Sequence, residues 1–122
     1  MNPRAWLWCA AWGPALVWAG LIFWGSSQPV PPEVQGLPTG TDKIIHAVEY
    51  GILSYLLARG FRRTVPGWPA GRIAAAAILI SGLYGALDEF HQSFVPTRTA
   101  DPTDVVADLA GAATVGLALT FW

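Results

Sequence analysis

A chain of 122 residues that is 53% hydrophobic and only 12% charged makes one domain, residues 1–122, and is too apolar for a water-soluble fold of that size. Its formal charge of −1 argues against a nucleic-acid partner, and a membrane-orientation role accounts for the one arginine cluster, Arg59, Arg62, Arg63 and Arg72. The lone cysteine, Cys9, excludes an internal disulfide and reads as a small hydrophobe in an apolar run.

Four apolar stretches follow one another, each near the roughly 20 residues that span a bilayer core. The first, about 5–24, carries Trp6, Trp8, Trp12, Trp18 and Trp24, with its end residues suited to the interfacial belts. Pro14 interrupts it, which membrane helices tolerate where a neighbour satisfies the freed carbonyl. Arg4 is its only charge and no A-x-A site closes it at Gly25–Ser27, so a retained helix is expected rather than a cleaved signal. A polar, Pro-rich loop runs from Gly25 to Thr41, and a second helix is expected over about 42–58. A basic loop from Arg59 leads to a third helix over about 72–88, rich in Ala and Gly. A polar loop to Ala100 then leads to a fourth helix, about 102–121. Ala107 with Gly111, Ala112 with Gly116, and Ala77, Ser81 and Gly85 have the spacing that lets helix backbones approach closely in lipid, and read as scaffold. The expected fold is an all-α bundle of four transmembrane helices.

Charge is divided between the two ends of such a bundle. Arg4, Arg59, Arg62, Arg63 and Arg72 share one side, so the positive-inside rule predicts both termini in the cytoplasm. All eight acids, both histidines, Lys43 and Arg98 fall on the other side.

Asp42, His46 and Glu49 stand at i, i+4 and i+7 on one helical stripe, with Glu49 roughly 10 Å deeper than Asp42. Asp104 and Asp108 make a second stripe, with Asp108 roughly 6 Å further in. Ionisable residues at such depth are costly, about 2.5–3.5 kcal/mol for an acid at a helix centre, and read as functional by default. Asp88 and Glu89 close the third helix, where acids oppose the helix dipole, and His91 and Gln92 follow. Blander readings stand beside these. Asp101 before Pro102 reads as an N-cap, with Asp104 as a capping-box-like acid at N3. Asp42 favours the helix dipole, Lys43 suits an interfacial anchor, and His46 reads equally as a catalytic group or as a core histidine bonded to an acid. Arg98 fits a structural ion pair with Asp88 or Glu89, or a clamp on a ligand carboxylate or phosphate.

Several segments resemble the VanZ-like family of bacterial membrane proteins. Asp42-Lys43-Ile44-Ile45-His46-Ala47-Val48-Glu49-Tyr50 is similar to the family's D-K-x-x-H-x-x-E-Y signature. Asp88-Glu89-Phe90-His91-Gln92-Ser93-Phe94-Val95-Pro96 resembles D-E-x-x-Q-x-F-x-P, with Arg98 following, and Ser26-Ser27-Gln28-Pro29 resembles the end of the first helix. Asp104, Asp108 and Gly111 resemble D-x-x-x-N-x-x-G, with Asp108 where the family commonly carries Asn. The resemblance implies a bacterial integral membrane protein in a cell-envelope context, the family being named for a teicoplanin-resistance protein. With the charge division it leads to the expectation of an inner-membrane protein whose polar site faces the periplasm or exterior.

Three functions remain open at this point. In the first, the site binds or modifies an envelope lipid or peptidoglycan precursor. Asp88, Glu89, Glu49 and His46 would then share acid and base roles, and Arg98, Lys43, Gln92, Asp42, Asp104, Asp108 and His91 would bind substrate. A divalent metal suits so oxygen-rich a set. The second is a cation or proton relay, opposed by the absence of any charged residue between Arg72 and Asp88. The third is a structural accessory subunit. The bilayer is the expected partner, with a homo-oligomer left open.

Overall fold

The computed structural model describes residues 2–121, and these are all-helical, with no strand among them. Helix α1 spans Pro3–Ser26, α2 is a single turn at Pro32–Gln35, α3 spans Thr41–Thr64, α4 Ala70–Gln92 and α5 Pro102–Ala118. A short 3-10 turn, Leu119–Phe121, extends α5. By length and composition, α1, α4 and the run Pro102–Phe121 could each cross a membrane. Helix α3 is as long as α1 but carries Asp42, Lys43, Glu49, Arg59, Arg62 and Arg63.

Helix α3 is the central element, packing on α5, α4 and α1. Tyr50, Leu53, Leu57 and Ala58 of α3 meet Ala15 and Ile22 of α1 and Ile73 and Ala77 of α4 in the apolar core. The outside stays apolar: Leu16 is 72% exposed, Leu83 67% and Phe90 67%. So much exposed large apolar surface needs lipid or protein against it.

Two helices are longer than expected, for identifiable reasons. Helix α3 continues through Arg59–Thr64, which the sequence reading assigned to a loop. There Arg59 Nη1 donates to the Ala10 carbonyl at 3.0 Å and Arg62 Nη2 to the Leu119 carbonyl at 2.6 Å. Ala10 lies four residues before Pro14, so its carbonyl is the one that proline leaves without an N–H; Arg59 replaces it, and α1 runs on unbroken. Helix α4 continues to Gln92, so His91 and Gln92, expected beyond its end, lie in its last turn.

Small residues set the spacing between helices. A Cβ on Gly111 would stand 2.7 Å from the Cα of Ala47, so α5 meets α3 backbone to backbone. Ser54 Oγ donates to the Ala112 carbonyl across the same seam at 3.0 Å. At Gly85 a Cβ would run into the Asp108 carboxylate, so the missing side chain on α4 is what admits that acid.

Candidate functional site

The close α3–α5 seam brings the two acid stripes together at one end of the bundle. His46 Nδ1 donates to Asp108 Oδ1 at 2.8 Å, and Asp108 is completely buried. Its other oxygen, Oδ2, has no partner. One turn nearer the helix ends, His46 Nε2 stands 3.7 Å from Asp104 Oδ2. Lys43 Nζ bonds Asp104 Oδ1, and also Asp101 Oδ2 at 2.8 Å and Asp42 Oδ2 at 3.1 Å. Lys43 is thus held among three carboxylates on two helices.

Asp101 caps α5, accepting from the Thr103 N–H at 3.0 Å. The Lys43 ammonium beside it, aided by Thr103, holds its carboxyl below the usual carboxylate range, at about 2. The capping-box expectation for Asp104 is corrected. The Asp101 N–H donates to Glu89 Oε2 of α4 at 2.8 Å, while Asp104 turns to Lys43. That bond ties the last turn of α4 to the start of α5.

Glu89 and Asp88 are 7% and 6% exposed, and Glu89 Oε1 and Asp88 Oδ1 complete no hydrogen bond. Buried acceptors are rarely left this way, because each loses its water without replacement. Ser26 of α1 and Tyr50 of α3 turn their hydroxyls toward the Asp88 carboxylate, and Tyr50 is fully buried. Sequence reading passed over Tyr50 as a site residue, although it follows Glu49 and lies one turn beyond His46 on the same stripe.

Beside this cluster lies a cavity of about 200 Å³. Asp42, His46, Glu49, Gln92 and Arg98 supply its polar wall, while Ile22, Val30, Val34 and Ile45 supply an apolar one. Glu49 is half-buried and Gln92 is 3% exposed. Arg98 makes neither ion pair considered for it: Nε donates to the Gln28 carbonyl at 2.9 Å and Nη2 to the Gly25 carbonyl at 3.1 Å, holding the end of α1. His91 stacks on Phe23 with ring centroids 4.5 Å apart, and its Nε2 is 3.4 Å from Ser27 Oγ. Asp42 is exposed at the cavity mouth.

One ligand atom each from His46, Glu89 and Asp104 lies within 4.8 Å of the other two, and all three residues are buried. An imidazole and two carboxylates at that separation are chemically able to hold a cation.

A family model described as VanZ/LLP1 matches residues 26–122. None of the curated proteins and none of the solved structures matches the chain.

Proposed function

The chain belongs to the VanZ-like family, and from that premise we propose that it binds or modifies an envelope lipid or peptidoglycan-related substrate at the α3–α4–α5 end of the bundle. The observation that carries this reading is the set of buried, unpartnered acceptors, Asp88 Oδ1, Glu89 Oε1 and Asp108 Oδ2, beside a cavity with one polar and one apolar wall. Such a wall pair suits the neck of an amphipathic molecule. At about 200 Å³ the cavity takes a small polar group and no more, so the apolar remainder of a lipid would stay in the bilayer. Glu49 and His46 face that group, with Asp88 and Glu89 behind them as further acid–base groups.

In this reading α3 crosses the bilayer with the other three long helices, its ionisable groups confined to its two ends and to the bundle interior. Arg4, Arg59, Arg62, Arg63 and Arg72 then mark the cytoplasmic side of the inner membrane, with both termini there, and the cavity opens to the periplasm or exterior. A teicoplanin-resistance role rests on the family context.

Two experiments test the reading. On a Cys9→Ser background, cysteines introduced at Gln28 and Thr97 should react with an impermeant maleimide on intact spheroplasts, and one at Gly67 should not; the reverse pattern refutes the orientation. Native mass spectrometry of the protein reconstituted with a lipid-linked peptidoglycan precursor should show one bound lipid, lost in Glu49→Gln and Asp88→Asn. Equal retention by all three proteins, or none by the wild type, refutes the substrate class.

A structural tie has one observation in its favour. Lys43 joins α3 to Asp101 and Asp104 at the start of α5, and His46 joins α3 to Asp108. It accounts for those pairs and for the approach of Ser26 and Tyr50 to Asp88, and leaves Glu89 Oε1 and Asp108 Oδ2 unexplained.

A further inference from the structure

We propose that His46, Glu89 and Asp104 form a site for one divalent transition-metal ion of the zinc type. Three independent features converge on it. The first is the approach of the three ligand atoms, within 4.8 Å of one another and supplied by α3, α4 and α5. His46 Nε2 and Asp104 Oδ2, 3.7 Å apart, are too distant for a hydrogen bond. Two ligands of one tetrahedral ion, each bonded at about 2.0–2.1 Å, stand roughly 3.3 Å apart, so little movement separates the pair from coordination.

The second feature is Glu89. One of its oxygens is fixed by the Asp101 N–H, which orients the carboxylate, while Oε1 is buried with no partner in a residue 7% exposed. An oriented, dehydrated and unused acceptor is what a metal ligand looks like before the ion arrives.

The third is Asp108. Its bond to His46 Nδ1 at 2.8 Å makes Nδ1 the donor and leaves Nε2 as the nitrogen facing Asp104, a ligand atom once an ion displaces any proton there. A carboxylate behind a histidine in this way is the usual support of a metal-bound imidazole, fixing its tautomer and raising its basicity. Lys43 engages only Oδ1 of Asp104, leaving Oδ2 for the ion.

Charge and ligand type select the ion. A divalent ion is neutralised by the carboxylates of Glu89 and Asp104. The imidazole favours zinc over magnesium or calcium, which prefer all-oxygen shells. His46 also lines the cavity, so the ion would sit at its edge.

The inference is separate from the lipid reading and is tested without any lipid substrate. Full-length protein in detergent, stripped with chelator, is titrated with zinc chloride and with magnesium chloride, and bound metal is measured after gel filtration. One zinc per chain should bind, with magnesium at least a hundredfold weaker. Glu89→Gln and His46→Gln should each weaken zinc at least tenfold, Asp108→Asn roughly tenfold through the lost support, and exposed Glu33→Gln not at all. Zinc X-ray absorption on the wild type keeps the test independent of variant folding. A shell of one imidazole nitrogen with oxygens supports the site. Sulfur scattering would assign the ion to Cys9, and that result, a shell without nitrogen, or substoichiometric zinc overturns the inference.

Discussion

Gly111→Ala is the substitution to which the site should be most sensitive without any change of a charged group. The added Cβ would stand 2.6 Å from the carbonyl carbon of Ala47 and 2.7 Å from its Cα, and nearer still to its oxygen. Ordinary contact begins near 3.4 Å, and the Ala47 oxygen, the nearest atom, sets the displacement, so the helices must part by more than about 1 Å, and backbone cannot swing aside. His46–Asp108 at 2.8 Å and Ser54–Ala112 at 3.0 Å cross this seam and would leave hydrogen-bond range if stretched by that amount. Overpacking costs about 1–3 kcal/mol, and each interhelical hydrogen bond in lipid about 0.6 kcal/mol, giving about 2–4 kcal/mol in all. Two glycines calibrate the result. At Gly116 the nearest atoms are side-chain atoms, Ile78 Cγ1 and Cδ1 at 2.8 and 3.0 Å and Ser54 Oγ at 3.3 Å, which can give where backbone cannot, so Ala there should cost about 1–2 kcal/mol. At Gly20 nothing lies within 4 Å, so Ala should be neutral. The assay is unfolding in mixed micelles, followed by helical circular dichroism. Gly111→Ala as stable as Gly20→Ala would refute the backbone-contact argument.

Lys43→Met leaves the buried Asp104 without its cation and should destabilise the fold by about 1–3 kcal/mol in the same assay, between the values for exposed and fully buried pairs. Lys43→Arg should recover part of that loss. Arg98→Ala frees the Gly25 and Gln28 carbonyls at the end of α1, so limited proteolysis should cut the loop after α1 several-fold faster. Arg98→Lys should restore little, since a single ammonium does not reproduce the guanidinium fork.

The helices were legible because each long apolar run leaves little else for a backbone to do in lipid. Their ends were less so. Arg59, Arg62 and Arg63 looked like loop residues because sequence weighs charge, while the helix persists where two of those guanidiniums find carbonyls on α1 and on the 3-10 turn after α5. The site was legible as a list of ionisable residues at one end of the bundle. Its pairing was not. That His46 meets Asp108 with one nitrogen and faces Asp104 with the other depends on the seam width set by Gly111 and on the space left at Gly85. Tyr50 was missed because a tyrosine on an apolar helix reads as core, and only the approach of its buried hydroxyl to Asp88 marks it out.

Asp88 and Glu89 decide between a site and a tie. Acids near the C-terminal end of a helix oppose its dipole by up to about 0.3–1 kcal/mol each, and burial of an oxygen that completes no hydrogen bond adds to that. If the cluster exists to hold helices together, each charge must recover its cost in pairing, and Asp88→Asn or Glu89→Gln should destabilise. If it is retained for a ligand, the charges burden the free protein, and the isosteric amides should relieve it. Gln can still accept the Asp101 N–H that Glu89 now accepts, so that link survives the exchange. The expected outcome for apo protein in detergent is that each amide variant gains about 0.5–1.5 kcal/mol in unfolding stability while losing ligand retention. A loss of more than about 1 kcal/mol in both would show that these carboxylates are structural partners, and the reading of the cluster as a ligand site would fall with it.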